Sequence, residues 1–558
     1  MKKQIFFICC LLFFCFKINS QNKALNSFET FPQEKIYANV NSNLFLTGEH
    51  ILYKIYCLND KKNNLSSLSK IGYVEVIDSN NNSLFKQKIA LEKGQGFGDI
   101  FLNSTIKTGT YKFVAYTQWM LNSQTFFEKT IYIVNPFSDK LKVSDSISKN
   151  NFTLTTLSNS NLLKPLTNKK TYAKREEVIV SLTNNKNINV SVSARKIDDF
   201  TIPNKNSTLL FLKDFKSSKT KSKNLYLPEL RGELYQGKIS SATNKNVHNK
   251  KIGISYIGEN KITKISTTSQ SGEFYFNINK NASAKNVLLE VLDKNTKDYK
   301  IELQNNNNLE KTFTNFPELF ETEKLRNYIK QKSKYLQIEN AYNTVKQNTL
   351  RPAKENSYVF SENKNNVLYN LDDFTRFKTV KEVTVEILQD VWLTEKNNEY
   401  SFHLRDVNLV ANNNLETLLI VDGFIVKNHT DFVFFDALKI KNILLVKEKY
   451  VFGTNIYQGI IKIETINNSY KPVMNSRNSF TLLKPEKHKD YFHPNYKKNI
   501  NSRVPDYRTQ LYWNPNLKNS SNEFSFYTSD VPGKYQIIIE GFTNSGEAIY
   551  EELFFEVK

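Results

Sequence analysis

A chain of 558 residues with 39% hydrophobic and 13% aromatic content is too apolar for a disordered polyelectrolyte, and its 40 Phe and 29 Tyr favour strands over helices. Its length corresponds to about four domains of ordinary size. The net charge of +22 comes from lysines dispersed among asparagines, with no arginine-rich block or aromatic-interleaved basic stretch; this excludes nucleic-acid binding and leaves solvated surface, or weak attraction to an anionic glycan or lipid surface.

Lys2 and Lys3 precede the apolar run IFFICCLLFFCF, so residues 1–20 read as a secretory signal peptide with a mature chain expected from Gln21. The run from Ile5 to Phe16 is too short to span a bilayer. Cys9, Cys10 and Cys15 leave with the leader, and no cysteine stands where a lipid anchor needs one. The remaining Cys57 closes no internal disulfide, and its context LYKIYCLND supplies neither a base nor a helix start, so it is read as a strand cysteine.

Residues 21–138 carry short strands, among them KIYANV, HILYKIYCL, IGYVEVID and GTYKFVAYT, separated by turn residues in the pattern of a β-sandwich with one wet face. Gly94, Gly96 and Gly98 in EKGQGFGDIF read as a hairpin turn, because no helix follows for a phosphate site. Over 150–228, Val178, Val180 and Leu182, then Val190, Val192 and Ala194, recur at period two and predict the half-buried strands of a second sandwich. Turns at Gly258 and Ser271-Gly272 divide 231–305 into a further small β domain. Within 315–350 a helical segment is expected, with Leu325, Tyr328, Ile329, Leu336 and Tyr342 near one face and Glu321 and Glu323 early, as the helix dipole prefers.

Residues 375–468 read as a small α/β domain. Leu418 to Val421 is a continuous apolar run suited to a buried strand, and Asp422-Gly423 is a turn signal into Phe424 to Val426. Another apolar strand lies within Leu438 to Val446, and Gly453 and Gly459 bracket the turn before Ile460 to Ile463. Residues 495–558, with turns at Pro532-Gly533 and Ser545-Gly546, are expected to close a separate soluble β domain.

Several of these stretches resemble known families. Gly48, Glu49, Tyr116, Thr117, Trp119 and Met120, with EKIYANVNSNLFLTGEHILYKIY around the first pair, are similar to the macroglobulin-type sandwich at the start of large exported Bacteroidetes proteins. The chain lacks the Cys-Gly-Glu-Gln thioester of macroglobulin protease traps, so no thioester target is expected. Trp119 and Met120 are read as a core or inter-domain anchor. Thr268 to Phe274 resembles the carboxypeptidase-regulatory-like signature, with Gln270 in place of an acidic residue; that module implies no peptidase. Asp506, Tyr507, Arg508, Leu511, Tyr512, Trp513 and Pro515 resemble the closing domain of the same Bacteroidetes family.

The stretch from Lys381 resembles the plug of TonB-dependent outer-membrane receptors, carried by Val421, Asp422, Gly423, Ile440, Ile443, Leu445, Gly453, Gly459, Ile460, Ile461, Ile463 and Thr465. The resemblance makes Val421, Asp422, Gly423, Gly453 and Gly459 the candidate partner-binding residues. Residues 466–558 are too few for the barrel of about 22 strands that such a plug would fill, and they read as soluble strands.

His50, His248, His403, His429, His488 and His493 are scattered, with no HExxH or paired-cysteine motif; His488, Asp490 and His493 in KHKDYFHP lack a further fixed ligand. No nucleophile elbow, phosphate loop or positioned carboxylate pair stands out. No enzyme activity, cofactor or metal is therefore expected. The fold class is mainly β: tandem macroglobulin- or Ig-like sandwiches with a short helical segment and a small α/β plug-like domain. The expected role is a non-enzymatic exported envelope protein, periplasmic or outer-membrane associated or at the cell surface, binding or scaffolding an outer-membrane or envelope partner. The alternative is a surface adhesin or glycan-binding protein in which the plug-like domain is only structural.

Overall fold

The computed structural model describes residues 31–137, 160, 162–184, 187–197, 200, 202, 206–216, 225–257, 263–278, 286–292, 298–304, 309, 311–351, 365–406, 415–452, 455–472, 478–497, 503–517 and 522–558. The expected signal peptide, Gly258 and the candidate residue Gly453 lie outside the described residues. The protein is mainly β. It divides into two compact units, one of Met1–Leu230, Leu309–Arg351 and Glu486–Lys558, the other of Arg231–Asn308 and Pro352–Pro485.

The first unit opens with a sandwich. One sheet holds Glu34–Val40, His50–Asn59 and Gln95–Phe101; the other runs, in order, Leu44–Leu46, Phe127–Val134, Gly109–Tyr116, Ile71–Ile77 and Ser83–Ala90. Between them Tyr53 meets Phe113 edge-on at 5.3 Å, and within the larger sheet Tyr73 stacks on its cross-strand neighbour Tyr116 at 5.2 Å. Gly94, at φ 76°, makes the expected turn, while Gly96 and Gly98 serve close packing: a Cβ on Gly98 would lie 2.5 Å from the Tyr53 hydroxyl. Trp119 and Met120 are buried in the 3-10 turn Gln118–Asn122, and the indole Nε1 donates to the Pro32 carbonyl at 3.0 Å. Cys57 is buried too, and burial pushes its thiol well up, away from the reactive form.

The expectation of one wet face fails for Glu34–Val40, all seven of whose residues are buried. Their outer side is covered by a second sandwich. That sandwich also corrects the expected division of 150–228 from 495–558. Its larger sheet runs Thr171–Tyr172, Ala548–Val557, Gly533–Thr543, Ile188–Lys196 and Gln510–Asn514, and its smaller one Glu523–Tyr527, Glu177–Asn184 and Leu163–Thr167. The two stretches are halves of a single core. The reason is burial: Val178, Val180, Val190 and Val192 need facing partners, and Tyr512, Phe526, Ile537, Ile539 and Phe555 supply them.

The helix spans Glu323–Ala341, shorter than the segment expected, and its N-cap Thr322 accepts a hydrogen bond from the Leu325 amide. Leu325 and Tyr328 pack on Leu44, Leu46 and Val134, with Ile329 and Leu336 partly covered, while Tyr342 lies past the helix end and is exposed. Lys332, also buried, pairs with Glu49 at 2.7 Å. Burial alone would lower its pKa, but Glu49 and Tyr328 raise it, so the ammonium keeps its charge.

The second unit combines a sandwich with an α/β layer. Sheets of Glu273–Ile278, Glu233–Ser241 and Tyr299–Gln304, and of Thr263–Thr267, Lys251–Ile257, Asn286–Val291 and Ser479–Thr481, enclose Phe274 and Phe276. The turn ahead of Phe274 uses Gly272 at φ 81°. Phe274 lies directly over Gly237, where a Cβ would stand 2.3 Å from its ring. Gly237→Ala is expected to cost about 1–3 kcal/mol through overpacking; a urea midpoint equal to that of the parent would refute the contact.

The α/β layer is a sheet ordered Asn366–Asn370, Ile440–Val446, Gly459–Thr465, Thr417–Val421 and Phe424–Ile425. Thr417–Val421 runs parallel to Gly459–Thr465. Helices Val380–Glu386 and Thr430–Val433, with the hairpin Val391–Lys396 and Glu399–Leu404, cover one face. The other face, through Leu418, Ile420, Ile425 and Ile460, packs on Ile265 and Leu292 of the sandwich. Covering on both sides explains why Leu418 to Val421 is apolar without alternation.

Candidate functional site

The Asp422-Gly423 pair forms a two-residue turn with φ of 49° and 85°, joining antiparallel Val421 and Phe424. Both central residues are left-handed, as a type I′ turn requires, and Asp-Gly meets that demand at low cost. The Asp422 carboxylate is buried; it accepts from the Thr465 amide at 2.9 Å, from the Thr465 hydroxyl and from the Tyr470 amide at 3.2 Å. It thereby pins the end of the parallel strand to the hairpin. The Gly423 carbonyl accepts from the Thr263 hydroxyl at 2.7 Å, which fastens the turn to the neighbouring sandwich.

Gly459 permits a second close approach, since a Cβ there would stand 2.5 Å from the Val446 carbonyl oxygen and 2.6 Å from a Leu404 methyl. Val421 is fully buried. The four described candidates thus belong to one sheet and its hairpin turn and are all buried, where they frame the layer without offering side chains to a partner. Their role follows from geometry: turn formation and close approach are what these residue types supply.

The helical side of the layer also exposes apolar side chains. Val385 is 70% exposed, Phe434 60% and Leu438 50%. Tyr400 meets the Phe434 ring edge-on at 5.6 Å, and the Lys381 ammonium stands 5.0 Å from the centre of the Tyr400 ring. The capping box of Thr379 and Glu382 fixes the start of the helix that bears Lys381 and Val385, one turn apart. His429 holds the short helix to the hairpin by accepting from the Phe402 amide at 3.0 Å, and burial lowers its pKa to about 4, so it stays a neutral acceptor. Sequence reasoning missed this surface because the exposure of an apolar residue is set by which faces the packed chain covers, which neighbouring residues do not specify.

His488 and His493 do not converge. His488 packs on Phe97 at 4.7 Å, and Asp490 pairs with Arg351 at 2.5 Å. His493 lies on Tyr512 at 4.5 Å, and burial lowers its pKa to about 4. Among the described residues, no three His, Cys, Asp or Glu side chains gather to hold a metal. No described helix is long and apolar enough to cross a membrane.

No protein-family model matches the chain. No curated protein matches it either. Among solved structures it is similar to Salmonella alpha-2-macroglobulin reacted with methylamine, at 7% identity and a TM-score of 0.17 over 94% of this chain and 23% of that one. It is also similar to Escherichia coli alpha-2-macroglobulin activated by porcine elastase, at 9% identity and a TM-score of 0.22 over 94% and 44%. The chain thus spans less than half the length of either neighbour.

Proposed function

We propose that the protein is a non-enzymatic exported envelope protein that acts as a binding or scaffold subunit, meeting an outer-membrane or envelope partner through its α/β layer. The observation that carries this reading is the exposure of the apolar side chains Val385, Phe434 and Leu438 on the helical side of a layer whose central strands, Thr417–Val421 and Gly459–Thr465, are covered on both faces. The plug resemblance of 381–468 points to an outer-membrane barrel as the partner.

The test is affinity purification of the tagged chain from its own envelope in mild detergent, with mass spectrometry of what accompanies it. A barrel protein in fixed ratio is expected, and Val385→Asp with Phe434→Asp is expected to lower its recovery at least tenfold, as loss of apolar anchors does. Unchanged recovery from a folded double variant would defeat the proposal. Surface substitution is preferred to deleting 381–468, because the deletion would strip Ile265 and Leu292 of their cover.

The second reading, a glycan-binding surface protein, is favoured by one observation. Trp392 and His403 stack across the hairpin at 5.3 Å and 18°, on the side opposite Phe402. Binding of the folded chain to a glycan array, lost in Trp392→Ala, would favour it; absence of binding would retire it.

A further inference from the structure

Between the two sandwiches of the first unit lies a seam of ionisable side chains removed from water. Glu540, on Gly533–Thr543, is buried; its Oε1 accepts from the Tyr37 hydroxyl at 2.5 Å and from the Thr208 amide at 2.8 Å. Its backbone carbonyl accepts from the Tyr56 hydroxyl at 3.0 Å and from Ser191 at 3.2 Å. Ser191 in turn accepts from the Asn39 amide nitrogen at 2.9 Å. Phe127 and Phe542 close around the Tyr37 ring.

Two buried lysines share the seam. Lys129 donates to the Val40 carbonyl at 3.4 Å, and Lys54 donates to the Val190 carbonyl at 3.4 Å with its ammonium 4.7 Å from the centre of the Tyr56 ring. The charged and titratable groups acting on Glu540 and Lys129 come from every surrounding element: Tyr37 and Tyr56 from the first sandwich, Arg195 and Tyr550 from the second. Arg195 donates to the Asn41 carbonyl at 3.1 Å.

We propose that this seam is a proton-linked joint, whose closure is coupled to proton uptake by Glu540 as the two sandwiches exclude water from it. Burial raises the Glu540 carboxyl to about 7, and burial lowers Lys129 to about 8 despite the attraction of Glu540. Opening returns both groups to water. From the ordinary carboxylate range up to about pH 7 the closed seam holds a proton that the open one has lost, so acidification through that window favours closure. From about pH 8 upward Lys129 acts in reverse, the closed form having already lost its proton, so closure is favoured again as pH rises. The joint is loosest at neutral pH.

Between about pH 7.5 and 5 the opening equilibrium is expected to fall by about 60-fold. Hydrogen exchange of the full chain reads this directly, because the Thr208 amide is protected by the Glu540 carboxylate and not by a backbone carbonyl. After correction for the intrinsic exchange rate, protection of the peptide spanning Ser207 to Asp214 is expected to rise on acidification. In Glu540→Gln, a permanently neutral side chain, protection is expected to be high at neutral pH and to lose its rise on acidification, leaving only the opposite, Lys129-linked trend. Lys129→Met, which removes the cation that favours the carboxylate, is expected to move the wild-type transition to higher pH. Unchanged wild-type protection, or a Glu540→Gln chain that retains the rise on acidification, would overturn the proposal. So would failure of Glu540→Gln to fold, since a neutral side chain is the closed form's own chemistry.

Discussion

Replacing Arg508 by Met is expected to destabilise the first unit by about 3–5 kcal/mol, because it strands a buried carboxylate. Arg508 grips Asp506 with two hydrogen bonds of 2.7 Å, and both groups are shielded from water. Asp506 also accepts from the Tyr496 hydroxyl at 2.7 Å, and its own amide donates to Asp530 at 2.9 Å, which Arg175 holds in a second fork. The network ties the segment after 503 to the strands on either side of Lys174. Burial by itself would raise the Asp506 carboxyl; the Arg508 guanidinium outweighs it and holds the carboxyl below the usual range.

The sign of the pH dependence follows from that depression. Stability supplied by Asp506 is fully present above the unfolded carboxylate pKa of about 3.9 and is lost as pH falls through the lower folded value. Arg508→Met removes this acid-sensitive contribution, so the gap between parent and variant in urea midpoint is expected to narrow on acidification from about pH 6 toward 3. A gap that is small at neutral pH, or that widens in acid, would show that the fork contributes little.

The second large effect is expected at Lys484. Its ammonium lies 2.9 Å from Glu233 Oε1 with both side chains buried, and 4.9 Å from the centre of the Tyr256 ring. Glu233 begins one sheet of the second unit's sandwich, and Lys484 follows the strand Ser479–Thr481 that returns from the α/β layer to complete the other. The pair therefore fastens the returning chain. Lys484→Met is expected to cost about 3–5 kcal/mol, and adding Glu233→Leu is expected to recover most of that loss, since the penalty lies in the unpaired charge. A double variant as unstable as the single one would mean that the pair itself, not the stranded carboxylate, supplies the stability.

Turn chemistry and short-range periodicity were legible because each is written in neighbouring residues. Asp422-Gly423, Ser271-Gly272 and the Leu325 and Tyr328 face of the helix lie where their patterns place them, since φ preference and side-chain period act within a few positions. The Asp422-Gly423 turn and the close approach at Gly459 were legible in residue type, but the burial of the candidate residues was not. Burial of Val421 and the engagement of Asp422 by Thr465 and Tyr470 depend on strands that meet from separate parts of the chain.

By itself the amino-acid sequence determined a mainly β protein, its alternating strands, its turns and a single helix stripe, all consequences of local sterics and the two-residue period. Only the tertiary structure decided that Ile188–Lys196 lies between Gly533–Thr543 and Gln510–Asn514, making one sandwich of two distant stretches. It also decided that Glu540, set in an apolar strand with no local partner, meets Tyr37 and the Thr208 amide. The physical reason is the same in both cases: a strand's apolar face and a buried charge each specify that a partner must exist, and only the packed chain specifies which.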